Sequence, residues 1–142
     1  MRSKASKTIT IGIAAMLGFA SAGAWAVDHP VTVGGGGNTF SPVNVTVTAG
    51  DTVTWTYAGG AAPHNVVSDP GQVTTFRCAN GCDGAGGDGT PSATGWTSTV
   101  SFTTPGTVAY YCEIHGAPGG IGMHGTVIVN PVPVELQTFD VE

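Results

Sequence analysis

Cys112, His115 and Met123 fall within one short stretch, a thiol, an imidazole and a thioether with two and then seven residues between them. A second imidazole, His64, lies far upstream, behind the turn-forming run Gly59-Gly60-Ala61-Ala62-Pro63. Two imidazoles and one thiolate in a trigonal plane, with a weak axial thioether, form the ligand set of blue-copper electron-transfer sites. Soft sulfur favours Cu(I) and imidazole suits both oxidation states, so one rigid geometry serves both with little rearrangement. Taken singly, each residue has a blander use. A strand Cys is ordinarily a small buried hydrophobe, and Met is a common core filler. Position argues against that here: Cys112 closes an apolar strand, His115 follows in the loop, and Met123 stands just before the next strand. His124, its neighbour on an extended chain, points to the opposite side and reads as a surface residue.

The surrounding pattern is one of short strands. Val43, Val45 and Val47 alternate with Asn44, Thr46 and Thr48; after Gly50-Asp51, Val53, Trp55 and Tyr57 alternate with Thr52, Thr54 and Thr56. A period of two puts the large apolar side chains on one sheet face. Further strands are expected over His64–Ser68, Trp96–Phe102, Val108–Cys112 and Gly125–Asn130, with a turn at Pro105-Gly106. Short strands at this spacing predict an all-β Greek-key sandwich or small barrel in a single domain. Residues 78–95, rich in Gly, Asp and Ser, read as a long surface loop, and 131–142 as a C-terminal tail.

The first 26 residues stand apart. Arg2, Lys4 and Lys7 precede an apolar run from Ile9 to Ala20, and Ala24-Trp25-Ala26 offers small residues where a signal peptidase reads. The run is short and rich in small residues, and no second one of spanning length follows. The expectation is a cleaved export signal over 1–26 and a domain over 27–130, with no membrane anchor, in the periplasm or secreted. Cleavage leaves Arg77 as the only base against nine acids, a formal charge of −8. Such a chain does not suit nucleic acid, whose phosphates demand a basic surface.

An exported setting permits disulfides, and three cysteines leave one over. Pairing Cys78 with Cys82 leaves Cys112 free for a metal. That small ring is worth on the order of 1–2 kcal/mol by chain entropy. A zinc site with Asp83 or Asp88 lacks nearby histidines and is the weaker reading. His29 raises a separate possibility. After cleavage the chain starts Val27-Asp28-His29, and a terminal amine, amides and a third-position imidazole can bind Cu(II) or Ni(II) in a square plane. A frayed terminus with an idle histidine is the simpler expectation.

The chain resembles the cupredoxins, in particular the plastocyanin and pseudoazurin group. The resemblance rests on Phe40-Ser41-Pro42, Gly50-Asp51-Thr52-Val53-Thr54-Trp55, His64-Asn65-Val66, the run from Pro105-Gly106 to Tyr111-Cys112, and Met123-His124-Gly125-Thr126-Val127. It extends from about residue 31 to residue 130. It implies one type 1 copper ion with His64, Cys112 and His115 equatorial and Met123 axial. It also implies that Asn65 ties the ligand loops together by hydrogen bonding and that Tyr111 offers a longer route for electrons. The chain departs from the family in one place. The seven residues Gly116–Gly122 between His115 and Met123 exceed the usual spacing. They are expected to enlarge the apolar surface near His115, with Ala117, Pro118 and Ile121 facing Ala61, Ala62 and Pro63.

The function expected from these residues is single-electron transfer between a redox donor and an acceptor that dock near His115, by a monomer that is not an enzyme. A copper carrier or buffer is the first alternative. The type 1 module of a larger copper enzyme is the second, and it needs further histidine-rich centres.

Overall fold

A computed structural model describes residues 25–134. Most of the expected export signal, residues 1–24, and the end of the tail, residues 135–142, lie outside the described residues. Ten strands follow one another: β1 (Asp28–Val33), β2 (Phe40–Ser41), β3 (Asn44–Thr48), β4 (Thr52–Tyr57), β5 (Val66–Ser68), β6 (Arg77–Ala79), β7 (Gly81–Cys82), β8 (Trp96–Ser101), β9 (Gly106–Ala117) and β10 (Ile121–Asn130). They form two sheets, β2-β1-β4-β8 and β3-β10-β9-β5-β6-β7. Both are mixed, because β1 runs parallel to β4 and β3 parallel to β10, while the other pairs are antiparallel.

Alternation decides which faces meet. Val53, Trp55 and Tyr57 point inward from β4, and Val45 and Val47 do so from β3. Val43 departs from that expectation: it lies outside β3 and is exposed. At the centre, Trp55 packs against Phe76, Tyr110 and Phe102, with ring centroids 5.2, 5.3 and 6.3 Å away. Side chains of this size each add a few kcal/mol on burial, so this cluster is a large part of the core between the sheets. The Ser98 hydroxyl on β8 donates to the Ala79 carbonyl on β6 at 2.7 Å, a polar tie across the same interface.

Three segments differ from the sequence reading. Residues 28–33 are strand, recruited by six parallel pairings with β4 that no local pattern announces. The loop expected over 78–95 contains the β6–β7 hairpin, and Cys78 and Ala79 are buried in the core because Cys78 pairs with Val66 on β5. The third difference concerns the connection after Cys112. β9 runs on to Ala117 and β10 starts at Ile121, so most of the expected loop is a hairpin, with Ala117 opposite Ile121 and Gly116 opposite Gly122. Glycine permits this close approach: a Cβ at residue 122 would run into the His115 carbonyl oxygen, and one at residue 116 would lie 2.6 Å from the Met123 carbonyl oxygen.

Candidate metal centre

His64, Cys112 and His115 meet at one end of the sandwich. His64 lies between β4 and β5, where an antiparallel bridge to Ser92 fixes its backbone. Trp96 donates its indole N–H to the His64 carbonyl at 3.1 Å, and the Tyr57 ring packs edge-on against the imidazole at 5.0 Å. Cys112 and His115 both ride on β9, the first fully buried and the second half-buried. Cys112 Sγ lies 3.7 Å from His64 Nδ1 and 3.6 Å from His115 Nδ1. The donor atoms of all three residues fall within 4.8 Å of one another. Burial, and then the neighbouring His115, push the His64 pKa below its ordinary value, which keeps the imidazole neutral and able to donate a lone pair at pH 7.

These distances fit a metal. Bonds of about 2.0–2.3 Å from a first-row ion to nitrogen and sulfur, spread in a trigonal plane, place neighbouring donors roughly 3.5–4 Å apart. The soft thiolate beside two imidazoles selects copper over hard cations. Met123 is buried on β10, at the irregularity between Gly122 and His124 that faces the segment from Cys112 to His115 on β9.

Residues 27–130 match the family described as copper binding proteins, plastocyanin/azurin family. The chain belongs to that family. The chloroplastic plastocyanin of Oryza sativa subsp. indica is 36% identical over 131 residues, covering 89% of this chain and 77% of the relative. That of Tetradesmus obliquus is 42% identical over 90 residues, covering 63% of this chain; the match spans 57% of that relative's length. The crystal structure of amicyanin from Paracoccus versutus superposes with a TM-score of 0.51 at 29% identity, covering 76% of this chain and 84% of that one. This member of the plastocyanin/azurin family is therefore a copper-binding cupredoxin. His64, Cys112 and His115 are the one donor cluster of its kind among the described residues.

The other candidate residues have definite places in this family member. Asn65 is fully buried; its Nδ2 donates to the Gly89 carbonyl at 2.9 Å and to Glu113 Oε2 at 2.7 Å, and its Oδ1 accepts the Glu113 N–H at 3.0 Å. Cys78 and Cys82 are joined in a disulfide, and Cys112 is the free thiol. Tyr111 is half-buried on β9, paired with Val67 and His124. His29 is not frayed: it lies in β1 with Nε2 3.2 Å from Asp51 Oδ2. His124 places Nδ1 2.8 Å from the Gly122 carbonyl.

Sequence reasoning assigns no role at the site to Glu113, Arg77 or Asp69. Arg77 binds Glu113 and Asp83, and Asp69 accepts the N–H of Gly119. A signal existed for Arg77, the only Lys or Arg after Lys7.

Proposed function

We propose that this cupredoxin carries single electrons between two redox proteins, and that His64, Cys112, His115 and Met123 would hold its copper. The carrying observation is the buried Cys112 thiol flanked by two imidazole Nδ1 atoms at 3.6 and 3.7 Å. Copper in that donor set supplies a one-electron couple between Cu(II) and Cu(I). The chain's part is to keep the donors still. Trp96 and Tyr57 hold His64 from the side, and Asn65 locks the His64 segment to the Cys112 segment. A frame pinned this way resists rearrangement between oxidation states.

His115 alone of the three imidazole and thiol donors reaches toward solvent; Ile114, next to it in sequence, and Ile121, which pairs with Ala117 across the hairpin, are 55% and 63% exposed. An apolar rim around a half-exposed ligand suits brief docking of a partner close to the metal. Tyr111 offers a second, longer electron path from Cys112. The carrier is read as an exported monomer in the periplasm or outside the cell, and it makes or breaks no bonds. No helix among the described residues is long and apolar enough to cross a membrane. The enzyme alternative needs a second histidine centre; His29 and His124 are engaged with Asp51 and the Gly122 carbonyl. The copper-buffer alternative needs ready exchange, which a buried, hydrogen-bonded frame opposes.

A Cu(II) titration followed by visible absorption and electron paramagnetic resonance tests this reading. An intense thiolate-to-copper band that saturates at one equivalent and vanishes in Cys112→Ser is the expected result. A square-planar Cu(II) signal that survives Cys112→Ser would overturn it.

A further inference from the structure

Arg77 sits on β6 and reaches the segment between the ligands Cys112 and His115. Its Nε lies 3.1 and 3.0 Å from the two Glu113 carboxylate oxygens, and its NH2 lies 2.9 Å from Oε2. On its other side NH1 donates to Asp83 Oδ2 at 3.0 Å. Asp83 in turn accepts the Gly89 N–H on Oδ1 at 2.8 Å, and the Gly89 carbonyl accepts from Asn65. Asn65 closes the circuit on Glu113 through both its amide atoms. The ring therefore joins the residue after His64 to the residue after Cys112 by two routes, one direct and one through Arg77, Asp83 and Gly89. The disulfide stands at its root, since Cys78 follows Arg77, Cys82 precedes Asp83, and the two cysteines pair across β6 and β7.

We propose that Arg77 and Glu113, rooted on the Cys78–Cys82 hairpin, are positioning residues that fix the spacing of the His64 and Cys112 segments and set the local charge that tunes the metal's reduction potential. This rests on the copper reading above. The Glu113 carboxylate is one residue from the Cys112 thiolate, and a negative charge there favours the higher oxidation state. The Arg77 guanidinium cancels it through a planar two-pronged contact that lysine cannot copy. Both side chains are about one-third exposed, 34% and 31%, so solvent and salt screen the effect without abolishing it.

Opposite signs follow. Arg77→Met leaves the Glu113 carboxylate without its guanidinium and lowers the reduction potential, whereas Glu113→Gln removes the negative charge beside Cys112, leaving Arg77 paired with Asp83 alone, and raises it. The double variant returns toward the wild-type value, and both single shifts shrink as salt is added. Arg77→Lys keeps the charge but not the fork. Its potential stays near wild type, while amide exchange at Glu113 in the metal-free protein becomes several-fold faster, as it does in Arg77→Met. A residue that only supported the fold would shift the single variants in the same direction or not at all. Either of those results, or unchanged amide exchange at Glu113 in both Arg77 variants, overturns the proposal. A wild-type protein without the thiolate-to-copper band would overturn the copper reading itself, a failure distinct from a normal band with unshifted potentials.

Discussion

The Asp69 carboxylate accepts the backbone N–H of Gly119 at 2.8 Å, tying the tip of the β9–β10 hairpin to the end of β5. Asp69 is itself held, because its own N–H donates to the Ala109 carbonyl on β9 at 2.9 Å. Ala109 lies three residues before Cys112, so the hairpin that leaves the metal centre after His115 must return along the sheet to reach it. The residues between His115 and Met123 are therefore held at their tip through Gly119, and Ile121 among them stays exposed.

Loss of that anchor has a measurable consequence. Asp69 is nearly buried, and a hydrogen bond to a charged group is worth about 1.5–3 kcal/mol. Asp69→Ala is expected to cost that much in denaturant unfolding and to speed copper loss, since His115 and Met123 sit at the hairpin's base. Asp69→Asn keeps an acceptor oxygen and should lose less. Equal copper release from all three proteins would show that the hairpin holds its ligands without Asp69.

Gly125 faces Tyr110 across β9 and β10, and a Cβ there would run into the phenol ring. Tyr110 is buried against Trp55 and Phe40 and has little room to yield. Gly125→Ala is predicted to destabilise by about 1–3 kcal/mol, the usual cost of overpacking. A chemical denaturation curve superimposable on wild type would contradict the tight contact.

Asp51 links the start of β1 to the turn before β4. Its carboxylate accepts the Val27 N–H at 2.9 Å and the Thr48 N–H at 2.8 Å, with His29 Nε2 at 3.2 Å. These bonds, the Val27 N–H foremost, hold its pKa below the ordinary aspartate value. A depressed carboxylate pKa gives stability that is complete above the unfolded-state value and lost as pH falls through the folded one. Wild type should therefore lose part of its stability as pH drops below about 4, the ordinary carboxylate range. Asp51→Asn should be less stable at pH 7 and show a flatter acid limb; thermal melts from pH 7 to pH 3 compare the two slopes.

The Cys78–Cys82 ring encloses few residues. Replacing both cysteines by Ala should cost on the order of 1–2 kcal/mol in unfolding free energy, with copper still bound at one equivalent. A loss of copper stoichiometry in that variant would mean the disulfide is needed to assemble the His64–Cys112 pair itself.

Much of this protein is legible in its sequence, for a local reason. A period of two, glycine and proline turns, and the close spacing of Cys112 and His115 act over a few residues and announce an all-β domain with a candidate copper site, while His64, 48 positions before Cys112, is legible through the family pattern His64-Asn65-Val66. Tertiary structure decided what depends on residues far apart. Residues 28–33 became strand through parallel pairing with β4, and the stretch after Cys112 became a hairpin because Gly116 and Gly122 let two backbones approach. The Arg77–Glu113–Asn65 ring joins residues separated by 36 and 48 positions. Hydrogen bonds of that kind carry no periodicity and no motif, so only the folded chain reveals which charge stands beside Cys112.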